Sequence, residues 1–263
     1  MQYPSLLSSN KLKQIRKLKQ KKYRNQYDCY LCEGLRLFDA AINKSDLEIR
    51  ELVISENFLN SGQGDLAFEK SKNKGIAVFI TNESTMKSIS EDISPPGIVF
   101  TVEKMSKNQI PLENIEDNII LYLERISEPG NLGSIIRSAG WFGIKSIMLS
   151  PECVDPWNPK SVRASAGAIF GTTMYTDINY LLLKEVFSRK EFQFIATVVS
   201  GGTPINKWRI GPKNMLLFGS EADGLSNKIA NDADIKLNIP AIGNVESLNL
   251  SVAASIIMYE ITK

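Results

Sequence analysis

The sequence predicts an α/β protein with two domains joined by a polar linker. Its 263 residues exceed the need of one small core, and 43% hydrophobic with 23% charged residues is typical of a chain that buries substantial cores. Strand-like and helix-like segments alternate in two blocks, separated by a polar stretch of weak periodicity. We therefore assign residues 1–103 to a basic N-terminal arm and first domain, 104–118 to a linker, and 119–263 to the second domain.

The first block has the pattern of a small α/β sandwich. Apolar periodicity predicts helices over 35–42 and 65–72, and a further short helix before the last strand. Short apolar runs predict strands over 51–54, 76–81 and 98–102. We expect these elements to form one compact unit.

The second block predicts a parallel sheet covered by helices on both faces, because its strand candidates are almost continuously apolar. The strand candidates are 119–123, 146–149, 194–199, 215–218 and 235–239. The helix candidates are 132–142, 162–170, 180–188 and 247–262. Ligands of such sheets bind beyond the carboxyl ends of the strands, so we expect a site in the loops after Leu123, Phe218 and Ile239.

The composition excludes several kinds of chemistry. The chain has no histidine, which removes Ser-His-Asp and Cys-His catalysis and histidine-ligated zinc. Cys29 and Cys32 lack a second pair, so we expect ordinary buried cysteines and no metal. Neither a P-loop nor a strand followed by G-x-G-x-x-G is present. No apolar run is long enough for a membrane span, and we expect a cytoplasmic protein with no membrane partner.

Positive charge is concentrated at the N-terminus. Residues 1–24 contain eight lysines and arginines and no acidic residue, whereas the remaining residues carry 23 basic and 29 acidic side chains. This asymmetry favours nucleic-acid contact, and a solvated surface helix over 11–22 is the alternative. The candidate nucleic-acid-binding residues are Lys11, Lys13, Arg16, Lys17, Lys21, Lys22 and Arg24.

Three motifs occupy the predicted site loops. The first motif, 128–143, has a turn followed by Asn131 as a plausible N-cap of a helix that carries Arg137. The second motif, 218–225, places Glu221 between two glycines. The third motif, 239–254, includes Ser247 as a plausible N-cap of the last helix. Taken singly, each motif is equally compatible with a purely structural role.

Together, the three motifs resemble those of the SpoU/TrmH-type RNA 2′-O-ribose methyltransferases of the SPOUT superfamily. The resemblance rests on N-x-G-x-x-x-R from Asn131, G-x-E-x-x-G from Gly219, and an I-P to S-L-N-x-S-V-A run from Ile239. The first block also resembles the ribosomal-protein-like substrate-binding domain of this family, although Tyr-Leu-Cys-Glu-Gly at 30–34 departs from its usual aromatic-Leu-Val-Glu-Gly.

The resemblance implies a C-terminal trefoil knot that binds S-adenosyl-L-methionine through main-chain groups. It assigns Gly219, Ile239 and Leu248 to the cofactor. A sulfonium methyl group is already activated, so a ribose hydroxyl needs alignment and loss of its proton, without metal or histidine. The resemblance places the catalytic residues at Arg137, Asn131, Glu221, Ser247 and Asn249. A bidentate hold on phosphate suits Arg137 better than a base role, and Glu221 could orient Arg137 or assist proton removal.

The resemblance further implies a homodimer that methylates RNA, with ribosomal RNA favoured over transfer RNA. The alternatives are a transfer RNA 2′-O-methyltransferase and a catalytically inactive RNA-binding assembly factor. A methyltransferase for a small molecule or a protein is disfavoured by the basic arm.

Overall fold

The computed structural model describes residues 4–104 and 111–263, and it divides into two compact units. The described residues up to 104, together with 157–170, form the first unit, and 111–156 with 171–263 form the second. The segment 157–170, which the sequence boundaries assign to the second domain, thus packs within the first unit. Part of the predicted linker, 105–110, lies outside the described residues. Leu112 and Ile115, at its other end, are buried in the core of the second unit.

The described residues contain twelve strands and eleven α-helices. The strands are β1 (Ser5–Leu6), β2 (Cys29–Glu33), β3 (Ile49–Ser55), β4 (Ala77–Thr81), β5 (Ile98–Glu103), β6 (Ile119–Leu123), β7 (Ser146–Leu149), β8 (Thr173–Tyr175), β9 (Gln193–Thr197), β10 (Thr203–Pro204), β11 (Asn214–Phe218) and β12 (Ile235–Asn238). The helices are α1 (Ser9–Lys17), α2 (Lys21–Tyr27), α3 (Leu35–Ile42), α4 (Glu56–Leu59), α5 (Gly62–Asn73), α6 (Glu83–Ile89), α7 (Pro129–Trp141), α8 (Pro159–Ala164), α9 (Tyr180–Arg189), α10 (Asn227–Asp232) and α11 (Leu250–Thr262). None of these helices is long and apolar enough to cross a membrane.

The first unit is built on a mixed sheet with the order β1-β4-β3-β5-β2. β1, β4 and β3 run parallel, and β5 is antiparallel to both β3 and β2. Ile15 and Leu18 from the basic arm are buried against Val53 and Val99 of this sheet. The predicted α/β sandwich is therefore confirmed, and the arm belongs to its core. Cys29 and Cys32 are buried and unpaired in β2, as expected for small core residues.

The second unit is a seven-stranded parallel sheet with the order β10-β12-β9-β11-β6-β7-β8. The five predicted strands and their parallel arrangement are confirmed, with 119–123 and 146–149 matching to the residue. β8 and β10 at the two edges were not predicted, because runs of three and two residues give no periodicity. The predicted trefoil knot stays a prediction from the family resemblance.

Three helices predicted in the second block differ from the structure by more than one residue. The helix over 162–170 is divided into α8 and a 3-10 turn, because Ala166 and Gly167 adopt left-handed φ angles of 49° and 93°. α7 begins at Pro129, so Asn131 lies in its first turn and is not its N-cap. α11 begins at Leu250 with Asn249 as the N-cap, which leaves Ser247 outside the helix.

Candidate functional site

The parallel sheet of the second unit brings the three motifs to one edge. β6 and β11 are neighbours with Leu123 opposite Phe218, so the first and second motifs start side by side. β12 lies beyond β9 in the same sheet, and its carboxyl end leads into the third motif. The predicted location of the site at the carboxyl edge is therefore consistent with the topology.

A chain of hydrogen bonds connects one residue from each motif. The Asn131 Nδ2 donates to Glu221 Oε1 at 2.9 Å, and the Asn249 Nδ2 donates to Asn131 Oδ1 at 3.1 Å. The Ser127 backbone N–H and hydroxyl each lie 3.4 Å from Glu221 Oε2. Glu221, Asn131 and Asn249, which are remote in sequence, thus form one polar cluster.

The orientation of both amides follows from the groups at the two ends of this chain. The Asn249 Oδ1 accepts the backbone N–H of Ser251 at 2.9 Å and so caps α11. Its Nδ2 must therefore donate to Asn131, and the Asn131 Nδ2 is left to donate to the carboxylate of Glu221. The donors point from the N-terminus of α11 toward Glu221, which stabilises the ionised form of that residue.

The pKa of Glu221 is accordingly lowered. Partial burial of the carboxyl raises this pKa, but the Asn131 side chain and the backbone N–H groups of Glu221, Ser127 and Glu128 donate to the carboxylate and outweigh the effect. A carboxylate stabilised in this way is a weak base. Glu221 is better suited to holding Asn131 than to removing a proton.

Arg137 is exposed on α7 and, among the described residues, makes no hydrogen bond or ion pair. The expected contact with Glu221 is not formed in this structure. Arg137 belongs to the first motif, and its unpaired guanidinium is available to bind a phosphate.

Ser247 is not the N-cap of the last helix, contrary to the prediction. Ser247 lies in the exposed segment before α11 and, within the described part of the chain, its hydroxyl forms no hydrogen bond. The sequence predicted Ser247 as the N-cap of the last helix, but Asn249 caps α11, and its amide also donates to Asn131.

The residues assigned to the cofactor lie at the same edge. A Cβ on Gly219 would overlap the main chain of Gly224 and Leu225, so the second motif requires glycine there. Residues 240–248 are exposed or nearly so, and their backbone groups bond to no other backbone group in the described ranges. Ile242, Val245 and Leu248 expose apolar side chains beside them, and Ile239 is half-buried.

This combination of free main-chain groups and uncovered apolar side chains fits S-adenosylmethionine. The adenine and the amino-acid part of that molecule can be bound by main-chain amides and carbonyls, and its ring can be covered by apolar side chains. These main-chain groups and apolar side chains have the chemistry that the resemblance implies for Gly219, Ile239 and Leu248.

A fourth loop at this edge was missed by the sequence reasoning. β9 lies between β12 and β11, so the residues that follow it, 198–202, emerge between the second and third motifs. A Cβ on Gly202 would lie 2.8 Å from the Lys236 carbonyl oxygen, which explains a glycine at this position. The adjacent Gly201-Gly202 pair after an apolar strand was the signal available in the sequence.

The basic arm is folded as α1 and α2 and is not a single helix. Arg24 is buried, and its guanidinium donates to the carbonyls of Leu18 and Lys19 at 2.7 and 2.9 Å, where α1 ends. Lys11 forms an ion pair with Glu51. Arg24 therefore has a structural function, contrary to its expected role as a phosphate ligand, and Lys11 already has an anionic partner.

The other predicted RNA-binding residues lie on the surface of the first unit. Arg16 donates to the Ser88 hydroxyl at 2.9 Å, and Lys17 and Lys22 lie over the ring of Tyr23 at 4.9 and 5.8 Å. Lys13 and Lys21 are exposed and contact no partner in the described part of the chain. We call the exposed set Lys13, Arg16, Lys17, Lys21 and Lys22 the basic surface.

Comparison with known proteins identifies the family. Residues 118–259 match the SpoU rRNA Methylase family, and residues 9–99 match the MRM3-like substrate binding domain. The chain belongs to the SpoU rRNA Methylase family. The resemblance inferred from the three motifs is confirmed, as is the two-domain α/β architecture.

Similar proteins cover nearly the whole chain. The 23S rRNA (guanosine(2553)-2'-O)-methyltransferase RlmP of Bacillus subtilis is 24% identical over 254 residues, with 96% of each chain covered. The 23S rRNA (guanosine-2'-O-)-methyltransferase RlmB of Neisseria meningitidis is 26% identical, covering 86% of this chain and 92% of that protein. The crystal structure of the AdoMet-bound rRNA methyltransferase from Sinorhizobium meliloti has a TM-score of 0.82 at 29% identity, covering 97% and 95%.

Proposed function

We propose that this protein transfers a methyl group from S-adenosylmethionine to a ribose 2′-hydroxyl of ribosomal RNA. The observation that carries the proposal is the Glu221–Asn131–Asn249 cluster, because it joins the three family motifs at the carboxyl edge of a parallel sheet. Family membership and the similarity to 23S rRNA 2'-O-methyltransferases support the same activity.

Arg137 and the residues of the cluster have distinct roles in this proposal. When bound, S-adenosylmethionine supplies an electrophilic methyl group. Arg137 binds the phosphate next to the target ribose through its planar guanidinium, since this side chain is exposed and unpaired among the described residues. Asn131 and Asn249 are fixed by Glu221 and by the N-terminus of α11, and they present neutral polar groups where the hydroxyl is aligned.

RNA is bound by the basic surface on the first unit. Its five cations lie on α1 and α2, and Lys13, Lys17, Lys21 and Lys22 form no ion pair with any other described residue. Phosphate neutralisation by such a surface is sequence-independent and salt-dependent. Recognition of one nucleotide must therefore come from other groups.

The direct experiment is incubation of the protein with labelled S-adenosylmethionine and either ribosomal or transfer RNA, followed by mapping of ribose methylation. We expect methylation at one nucleotide of ribosomal RNA. Methylation of transfer RNA alone would replace the substrate class. RNA binding without methyl transfer to either RNA or ribosomal particles would favour the inactive assembly factor.

We further propose that the protein is a homodimer. Val252, Ile256 and Tyr259 occupy one face of α11 at spacings of four and three residues, and their side chains are 47%, 37% and 54% exposed. Trp141, at the end of α7, is 85% exposed, and α7 packs against α11 through a 2.7 Å contact between the Ser138 and Ser255 hydroxyls. The same helix pair of a second copy would cover this exposed apolar face.

A further inference from the structure

Arg125, in the first turn after β6, has a backbone conformation that residues other than glycine rarely adopt. Its φ angle is 56°, in the left-handed region where glycine carries no penalty. Its backbone N–H donates to the Ser150 hydroxyl at 3.0 Å. Strain of this kind persists where the surrounding structure holds it, and it is concentrated at functional sites.

The side chain of Arg125 reaches the second motif. Its Nη2 donates to the Gly224 carbonyl oxygen at 3.4 Å. Its Nε is buried without a hydrogen-bond partner among the described residues and lies 3.9 Å from Glu124 Oε1. A glycine at position 125 would avoid the strain but would lose this connection.

Glu124 contacts both ends of the loop 219–226, which contains most of the second motif. The side chain is buried, and its Oε2 accepts the Ser226 backbone N–H at 2.7 Å, at the N-cap of α10. The Glu124 backbone N–H donates to the Phe218 carbonyl oxygen at 2.8 Å and extends the pairing of β6 with β11. Glu124 therefore contacts the loop both where it leaves β11 and where it enters α10.

Between these two anchor points, the loop 219–226 is internally braced. Ser220 and Gly224 exchange two backbone hydrogen bonds of 3.1 and 3.0 Å, and Gly219 packs against the main chain of Gly224. Glu221 lies within this braced segment and accepts the Asn131 amide. A displacement of the loop would thus move Glu221 and Gly219 together.

We propose that Glu124 and Arg125 are positioning residues that fix the 219–226 loop, so that Glu221 meets Asn131 and Gly219 borders the cofactor. The effect on the loop depends only on the contacts described above. The effect on methyl transfer rests on the proposed function. The two parts are tested by different measurements.

The decisive variant is Arg125→Gly, because it removes the side chain and relieves the backbone strain at once. We expect an unchanged or higher melting temperature, faster hydrogen exchange at the amides of 219–226, and S-adenosylhomocysteine binding weakened about fivefold, the size of one lost hydrogen bond. Arg125→Lys keeps a cationic donor and should restore most of the binding.

Glu191→Gly is the matched control. Glu191 also has a left-handed φ, 63°, lies in the second unit, and makes no side-chain contact among the described residues. The control should gain stability equally and change neither loop exchange nor S-adenosylhomocysteine binding.

Glu124→Gln and Glu124→Ala extend the test to the other anchor. The glutamine keeps an acceptor for the Ser226 N–H and should retain more protection of the loop than the alanine. Unchanged exchange and binding in folded Arg125→Gly would overturn the proposal, as would a loss of binding that Glu191→Gly reproduces. Altered loop exchange in a protein whose wild type methylates no RNA would retain the positioning role and reject the proposed function.

Discussion

At the scale of single residues, the polarised amide chain determines the behaviour of Glu221. Its folded-state pKa is lowered, so it contributes stability at pH values above its unfolded pKa of about 4.3. That contribution is lost as the pH falls through the lower folded pKa. We expect the stability difference between wild type and Glu221→Gln to shrink in this acidic range, measured by denaturant unfolding at several pH values.

Glu246→Gln is the matched control for this prediction, because it removes an exposed carboxylate of the neighbouring third motif that makes no hydrogen bond in the described ranges. A difference for Glu221→Gln that is constant with pH, or that Glu246→Gln reproduces, would contradict the assigned role of the Asn131 contact.

Arg137 should be essential for methyl transfer and dispensable for folding. Because its side chain is exposed and unpaired among the described residues, Arg137→Ala should leave the melting temperature and S-adenosylhomocysteine affinity nearly unchanged while abolishing turnover. Arg137→Lys should recover only part of the rate, since an ammonium group cannot form two parallel hydrogen bonds with phosphate. Turnover of the alanine variant within threefold of wild type would refute the assignment.

Gly219 tolerates no side chain. Even one added carbon would overlap the main chain of Gly224 and Leu225. Gly219→Ala should therefore disrupt the loop and weaken S-adenosylhomocysteine binding, measured by calorimetry. Gly62→Ala, in α5 of the first unit, where an added Cβ meets nothing within 4 Å, should bind normally.

At the scale of elements, the folding of α1 and α2 determines which variants can test RNA binding. Deletion of 11–24 would remove Ile15, Leu18 and the buried Arg24, and the first unit would lose part of its core. We instead expect Lys13→Ala combined with Lys21→Ala to lower the slope of log affinity against log salt concentration by roughly 1.5, the value for two phosphates. Cofactor affinity should be unchanged.

The control for this pair is Lys44→Ala combined with Lys74→Ala, two exposed lysines of the first unit that lie outside the basic surface. Titration of both double variants against ribosomal RNA at several salt concentrations separates a local surface from a general charge effect. Equal slopes for the two variants would favour the solvated surface helix.

At the scale of the whole molecule, the uncovered face of α11 predicts self-association. Ile256→Glu places a charge at the centre of that face and should convert a dimer into a monomer, measured by sedimentation. Leu181→Glu, on the exposed surface of α9, is the matched control and should leave the mass unchanged. A wild-type protein that is monomeric at micromolar concentration would exclude the proposed dimer.

Sequence patterns predicted the core strands of the second unit well, because Ile119–Leu123 and Ser146–Leu149 are continuous apolar runs between turns. They failed where a distant partner decides the outcome. Asn131 has the sequence context of an N-cap, but its amide bonds to Glu221, ninety positions away. Arg24 was predicted as a surface cation, and its hydrogen bonds to the carbonyls at the end of α1 were not visible in the sequence.

The anchoring of Arg24 also bears on the thermodynamics of RNA recognition. A disordered basic tail loses conformational entropy when it binds, and it can adapt to polyanions of many shapes. The arm of this protein is already ordered by Arg24 and by the buried side chains of Ile15 and Leu18, so this entropic penalty falls on folding and not on association. Its ammonium groups stand at preset separations, which favours RNA whose phosphates match that spacing and disfavours flexible strands that do not.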